Sequence, residues 1–406
     1  MTRVLAVADA DSYLKWAAGL LDTLPASWPT EMAVVRTPIA PSESQIAAAV
    51  SGTRVAGAGP DALPAVVSSR QLRKAAERFR PDVVLLACTG PVVDVLAAEI
   101  LADLRPRPVF VSGLPGISVP ATEKAWLFRS GCDLFVVHSG REVAEFSAIG
   151  RELGGGGGVA LARLPYLDLG APAPQGARDR VIFATQAKVP RRREEREQIL
   201  LALADLAANR PDLDVVVKLR ARDSERQTHN ERHHYERLWM SMAAEGRVRE
   251  DAVRFAAGPM HEHLTHAAGF VTVSSTAALE AIAQRVPLLV LSDFGVSAEM
   301  INLVFEGSGC LGTMEDLAKA DFRMPTEAWC QANYFHDASA SDWVDRVSGL
   351  VAAAQAGTLV PARSVLDSPE HATARRRARL RLEVPPKVLK YGYRAKRRMR
   401  RYLKAF

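Results

Sequence analysis

The stretch Gly269-Phe-Val-Thr-Val-Ser274-Ser275-Thr276-Ala-Ala-Leu-Glu280 carries the plainest chemistry in the chain. An apolar strand pattern runs into consecutive hydroxyl residues, and a helical pattern starts at once. The first N–H groups of a helix lack intrahelical acceptors, and the helix dipole adds partial positive charge there. Ser274, Ser275 and Thr276 would add O–H donors, so the segment predicts an anion site of phosphate size. The same hydroxyls also suit ordinary N-capping. Glu280, one turn into the helix, is placed to accept hydrogen bonds from ribose hydroxyls; the plain alternative is a solvated helix glutamate.

A second stretch, Val215-Val-Val-Lys218-Leu-Arg220, is followed by a polar loop with His229, His233 and His234. Strand side chains alternate with period two, so Lys218 and Arg220 point to one face and can neutralise a departing nucleotide phosphate. His233 and His234 are joint candidates to donate to that phosphate. The carboxylates and spacing of His-rich zinc sites are missing, so no metal is expected. Asp293-Phe-Gly295, beyond the next strand, is a further cleft loop; no kinase catalytic loop accompanies it.

Near the N-terminus, Asp9-Ala-Asp11-Ser12-Tyr13-Leu-Lys15-Trp16 begins at the end of the first strand. Carboxylates, a hydroxyl, a lysine and an aromatic so close together fit an acceptor site. Asp11, with Asp9 as second choice, would take a proton from an acceptor hydroxyl; each could instead be an N-cap. Gly113 and Gly116, in Ser112-Gly-Leu-Pro-Gly-Ile-Ser118, would let backbone approach a ligand. His138, directly after a strand, is the alternative base, or a buried, hydrogen-bonded histidine.

The elements that must position these residues repeat one rhythm. Apolar runs at residues 3–8, 82–87, 108–112 and 133–138 alternate with helical patterns, as do runs at 180–185, 214–219, 253–256, 269–273 and 287–291. Continuous apolar strands between helices indicate parallel sheets covered on both faces. Five glycines, Gly154–Gly158, and a Pro/Gly/Ala-rich stretch after them read as a domain boundary. The expected organisation is α/β: a Rossmann-like acceptor domain at residues 1–165, a linker at 166–178, a Rossmann-like nucleotide domain at 179–360 and a basic tail at 361–406. The two domains are expected to hold the site in a cleft, beyond the carboxyl ends of their strands.

With 406 residues, 48% apolar and 24% charged, the chain can bury large cores, and disorder or a collagen architecture is excluded for the whole. Cys88, Cys132, Cys310 and Cys330 are far apart and fit a reducing compartment. The N-terminus reaches Asp9 too early for a secretion signal, and no apolar run approaches a membrane span. No GxGxxG fingerprint or phosphate-binding P-loop is present, and no cofactor is expected. The net charge of +6 is uneven: residues 375–406 hold fourteen Lys or Arg and one acid, which leaves −7 on the first 374. Such a tail, interleaved with Leu, Val, Tyr and Phe, suits an anionic membrane surface rather than nucleic acid; the plain alternative is a disordered solubilising tail. The expected location is the cytoplasm, on the inner face of the membrane.

Lys218-Leu-Arg220, His233-His234-Tyr235, Ser274-Ser275-Thr276, Glu280 and Pro287 together resemble the C-terminal domain of GT-B glycosyltransferases. The resemblance spans roughly residues 3–350. It is nearest to an actinobacterial family of glycosyltransferases and more distantly similar to bacterial sialyltransferases and polysialyltransferases, capsule Kdo transferases and CDP-glycerol glycerophosphotransferases. It implies a GT-B fold and a cytidine nucleotide whose phosphate and ribose are held by a His-Pro motif and a Ser-Ser/Thr motif. His233 would match the histidine, with His234 at the usual proline; Ser274 and Ser275 would match the serine pair. Arg285 stands where many relatives end a helix with glycine, which predicts a different helix end here. The expected activity is metal-independent transfer from a CMP-linked nonulosonic acid or Kdo-like donor to a cell-surface glycan or lipid-linked acceptor. Alternatives on the same fold are a CDP-polyol phosphotransferase and a UDP-sugar 2-epimerase. A non-catalytic binding protein in a glycan assembly complex is the alternative of another class.

Overall fold

A computed structural model describes residues 1–56, 63–167, 177–220, 231–258 and 260–384. The chain divides into two compact units: Met1–Tyr166 with Asp337–Phe406, and Leu167–His336.

The first unit is built on a seven-stranded parallel sheet, in the order β3-β2-β1-β4-β5-β6-β7. The strands are β1 (Val4–Ala8), β2 (Thr30–Val35), β3 (Val66–Val67), β4 (Val83–Ala87), β5 (Val109–Gly113), β6 (Leu134–Val137) and β7 (Gly158–Leu161). Between them run α1 (Asp11–Asp22), α2 (Glu43–Val50), α3 (Ser69–Phe79), α4 (Gly90–Val95, prolonged by a π-turn to Ile100), α5 (Glu123–Leu127) and α6 (Gly140–Leu153). Val4, Ala6 and Ala8 face a core with Leu14, Trp16 and Ile46; Leu5 and Val7 face another with Leu72, Ala76 and Val93. Both faces are covered, which is why β1 reads as an unbroken apolar run. Paired Ser and Gln side chains cap α2 (Ser42, Gln45) and α3 (Ser68, Gln71) reciprocally.

The second unit holds a six-stranded parallel sheet, in the order β10-β9-β8-β11-β12-β13. Its elements are β8 (Arg180–Ala184), α7 (Arg193–Asn209), β9 (Asp214–Lys218), α8 (Tyr235–Ala244), β10 (Arg254–Ala256), α9 (Met260–Leu264), β11 (Ala267–Thr272), α10 (Ala277–Ala283), β12 (Leu288–Leu291), β13 (Leu311–Gly312), α11 (Met314–Ala318) and α12 (Glu327–Ala332). Val181 and Phe183 of β8, Val215 and Val217 of β9 and Val271 of β11 pack against Ile199, Leu203, Tyr235 and Leu238 of the helices. The strand order reverses between β1 and β4 in the first sheet and between β8 and β11 in the second. Ligands of such sheets bind at that reversal, beyond the strand carboxyl ends.

Two expectations about organisation change. The span 179–360 does not stay together: α13 (Trp343–Gln355) packs Trp343, Val347 and Val351 into the core of the first sheet, and α14 (Ala372–Glu383) packs Ala378 and Leu382 on its other face. Asp342 ties this return to the edge strand β7, where it accepts from the Leu161 N–H at 2.8 Å and donates its own N–H to the Leu161 carbonyl at 3.0 Å. The units part after Tyr166, in the expected Pro/Gly/Ala-rich stretch, and not at the glycine run before it. The glycine run is the turn from α6 into β7, inside the first unit. A Cβ at Gly157 would lie 1.7 Å from the Asp133 carbonyl oxygen, so only glycine lets the backbone pass there.

Arg285 also departs from expectation. The substitution for glycine predicts a different helix end, yet Arg285 adopts the left-handed φ of 54°. Val286 N–H reaches the Ala281 carbonyl and Arg285 N–H the Ile282 carbonyl, both at 2.9 Å, the bonding of a Schellman end. Arg178 donates to the carbonyls of Arg285 and Gln284, which satisfies acceptors the helix leaves open. Among the described residues no helix is long and apolar enough to cross a membrane.

Candidate functional site

In the second unit, the expected phosphate-site residues close or follow β9, follow β11 or precede α8, and Arg220 and Glu280 act on the Lys218 charge. Lys218 closes β9 and is 7% exposed, with its Nζ donating to the Leu219 carbonyl at 2.7 Å. Burial lowers its pKa below the usual lysine range, the nearby Glu280 carboxylate opposes that shift, and Arg220 adds to it. The ammonium, the half-buried carboxylate and the exposed guanidinium therefore share one field.

The three hydroxyls after β11 have separate fates. Ser274 is buried; its Oγ donates to Gln186 Oε1 at 2.7 Å, and its carbonyl accepts from Gln186 Nε2. This pair of hydrogen bonds joins the loops after β8 and β11 across the strand reversal. Ser274 thus holds the site's frame, and its O–H is not offered to a ligand. Ser275 Oγ accepts the Ala277 N–H at 3.2 Å, which leaves its own proton to donate. Thr276 is exposed and makes no side-chain capping bond. Thr185 Oγ1, at the end of β8, is buried with no hydrogen-bond partner among the described residues. A buried hydroxyl without a partner is costly, by about 1–3 kcal/mol, and a bound polar ligand or water would relieve it.

His233 and His234 separate too. His234 is 1% exposed and precedes α8 as its N-cap, whereas His233 is half-exposed. His234 has φ −69°, the angle a proline would impose at that position. The loop therefore keeps a proline-like path without the proline. Asp293 is used as a cap: its carboxylate accepts the Met314 N–H at the start of α11, at 3.1 and 3.2 Å. His229 lies outside the described residues.

The first unit's candidates behave differently. Asp9 is fully buried at the end of β1 and accepts from Thr89 at the end of β4, N–H at 3.0 Å and Oγ1 at 2.5 Å. Burial raises its pKa, while the Thr89 bonds and the Arg129 charge pull the other way. Asp9 therefore clasps two strands and is not presented to an acceptor. His138 is likewise fully buried: its Nε2 accepts the Trp16 indole N–H at 2.7 Å, and Nδ1 donates to the Ala162 carbonyl at 2.8 Å. Both nitrogens are engaged inside the protein, so His138 is the buried, hydrogen-bonded histidine of the two expected alternatives and not a base facing an acceptor. Gly113 is required by protein packing, because a Cβ there would sit 2.5 Å from the Trp16 ring. Gly116 lies in a loop pinned by α6, where the Glu142 carboxylate accepts the Ser118 N–H at 2.7 Å. Asp11 and Ser12 remain exposed at the start of α1, and Ala10, not either aspartate, is its N-cap. Lys15 Nζ sits 5.1 Å from the Tyr166 ring centroid, a cation–π contact.

A family described as "Putative glycosyltransferase (DUF6716)" matches residues 4–350. The chain belongs to that family. It is an enzyme family, and the match takes in both units' sheets. No curated protein matches the chain significantly. Solved structures of similar fold include the UDP-GlcNAc 2-epimerase from Methanocaldococcus jannaschii, at 10% identity and TM-score 0.52, covering 86% of this chain and 99% of that one. The UDP-GlcNAc 2-epimerase from Neisseria meningitidis bound to UDP-GlcNAc is 11% identical, TM-score 0.50, over 88% of this chain and 100% of the other. The Staphylococcus aureus MnaA–UDP structure is 12% identical, TM-score 0.50, over 90% and 99%. At such identities the likeness is one of fold, and that fold is GT-B.

This glycosyltransferase-family chain also has residues beside the candidate site that sequence patterns did not single out. Arg196 of α7 is 2% exposed and uses all five guanidinium donors. It bonds the Pro190, Gln186 and Ala187 carbonyls after β8, and the Glu231 carboxylate and His233 carbonyl before α8. One buried cation thereby sets both loops that flank Lys218. Gln186 and Glu231 are its accomplices. His263 of α9 lies in the Lys218 field, its pKa lowered by burial first and by Lys218 among the charges. Among the described residues no cluster of three or more His, Cys, Asp or Glu could hold a metal.

Proposed function

We propose that the chain is a GT-B glycosyltransferase that binds a nucleotide-sugar donor at the strand ends of its second unit. The observation that carries the reading is the placement of Lys218 and Arg220 at the end of β9, and of Ser275, Thr276 and Glu280 after β11, on either side of the strand reversal at β8, with Glu280 acting on the Lys218 charge. The cations and hydroxyls would hold the phosphate and ease its departure without a metal, and Glu280 would take the ribose. His233, half-exposed, is the histidine assigned to the phosphate. Asp11, exposed and early in α1, is the assigned base for an acceptor hydroxyl, with Ser12 and Lys15 beside it.

The resemblance of these motifs to cytidine-nucleotide transferases favours a CMP-linked nonulosonic acid or Kdo-like donor. The acceptor is assigned as a cell-surface glycan or lipid-linked sugar, made at the inner face of the membrane, with the basic C-terminal segment as the membrane contact. Calorimetric titration with CMP, CDP, UDP and GDP, without metal and then with Mg²⁺, tests the reading. Metal-independent binding of CMP, weakened by Ser275→Ala and by His233→Ala, supports it. Preferential UDP binding, with UDP-GlcNAc turnover in the absence of acceptor, would replace it by the 2-epimerase reading. No binding of any nucleotide would overturn the donor site and leave the binding-protein reading.

A further inference from the structure

The basic C-terminal region divides at α14 into charges already spent within the protein and charges left over. Arg375 grips Asp94 with two bonds of 2.8 and 2.7 Å and also bonds Asp367 at 2.8 Å. Arg379 reaches Glu99 and Glu383, each at 2.8 Å. Ala378 and Leu382 are buried on the same side. At helical spacing, Arg376, Arg377 and Leu380 fall on the opposite side, and Arg381 on its flank. Arg376, Arg377 and Arg381 are exposed and meet no acid among the described residues, and Leu380 is 44% exposed between them. α14 is therefore an amphipathic helix whose dry side is already occupied by the protein. Its outer side offers guanidinium groups outside any ion pair among the described residues, around one apolar side chain, with Glu383, paired to Arg379, at the edge. The sequence continues past residue 384 with nine further Lys or Arg and no acid.

We propose that the outer face of α14 docks on an anionic lipid surface, so that the first unit is held against the membrane by its folded body. This inference rests on the proposed membrane contact of the C-terminal segment and narrows it to a defined face. Guanidinium groups pair with lipid phosphate by forked hydrogen bonds, and an exposed leucine among them can enter the headgroup boundary. The inner arginines are unsuited to this, because their donors are committed to Asp94, Asp367 and Glu99.

The test is sedimentation of the full-length protein with phosphatidylcholine vesicles containing phosphatidylglycerol, at low and at physiological salt. Replacing Arg376→Gln, Arg377→Gln and Arg381→Gln together should weaken partitioning at least ~10-fold and reduce its salt dependence. The melting temperature should hold, since these side chains are exposed and make no ion pair among the described residues. A second variant neutralises four later cations, Arg397→Gln, Arg398→Gln, Arg400→Gln and Arg401→Gln. If it abolishes binding while the α14 variant binds as wild type does, the face proposed here is wrong and the C-terminal segment alone makes the contact. If the wild-type protein fails to sediment with vesicles, the membrane contact itself falls. Retention on RNA without retention on vesicles would assign the face to nucleic acid instead.

Discussion

The strand ends of the two units hold similar residue types in opposite conditions. In the first unit, Asp9, Thr89, Trp16, His138 and Arg129 bond to one another or to backbone, with Asp9 and His138 fully buried. In the second, Ser275, Thr276, Arg220 and His233 keep donors or rings at the surface around the nearly buried Lys218 and half-buried Glu280. The first arrangement fastens strands; in the second, Ser275 keeps a hydroxyl proton to donate and Thr276 and Arg220 stay exposed. A polar residue after a strand is thus a ligand contact only when its neighbours have not already satisfied it.

The largest test of that contrast is Arg196→Met. Breaking a buried pair and stranding Glu231 should cost about 3–5 kcal/mol of unfolding free energy, read by urea denaturation. It should also remove nucleotide binding, because both loops beside Lys218 lose their anchor. His138→Ala comes next: losing the Trp16 and Ala162 bonds should cost about 2–3 kcal/mol, and nucleotide affinity measured below the unfolding transition should hold. Asp11→Asn should do the reverse, with an unchanged melting temperature and loss of transfer.

Lys218→Met separates stability from binding. Nucleotide affinity should fall about 10–100-fold, the worth of a charge-assisted contact. Stability should move the other way at neutral pH. The folded pKa of Lys218 is below the unfolded value near 10.5, so folding penalises the charged lysine at low pH. Between the two pKa values the unfolded chain binds more protons, and wild-type stability rises with pH. The advantage of Lys218→Met should therefore shrink as pH climbs toward 10.5, measured by denaturation at several pH values. The smallest effect is Arg285→Gly, which relieves a left-handed φ and should raise stability by up to about 1 kcal/mol.

What was legible in the sequence follows the same division. β1, β4, β8, β9 and β11 announce themselves because both their faces are buried. β2 begins on half-exposed positions, β3 and β13 have two residues each, and β7 is masked by glycines, so none of these edges stands out. α13 reads as part of the second domain by adjacency, and only three-dimensional packing returns it to the first. Ser275 and Glu280 were legible because a strand, hydroxyls and a helix follow in order, and Lys218 because it closes an apolar strand run. Arg196 was not, because it stands in Arg191-Arg-Arg-Glu-Glu-Arg196-Glu, where a charge run ordinarily means a solvated surface. The Gln186–Ser274 bond spans 88 residues and leaves no local pattern.

The return of α13 and α14 also orders events during synthesis. A ribosome releases β1–β7 long before Trp343, Val347 and Val351 emerge, so the first sheet must wait with part of one apolar wall uncovered. The second unit, Leu167–His336, is an insertion whose strands and helices are contiguous and can condense while that wait lasts. The half made first is thus the half finished last. Chains truncated before residue 343 should emerge from translation as chaperone-bound or aggregated species, with a folded second unit attached to an unfinished first.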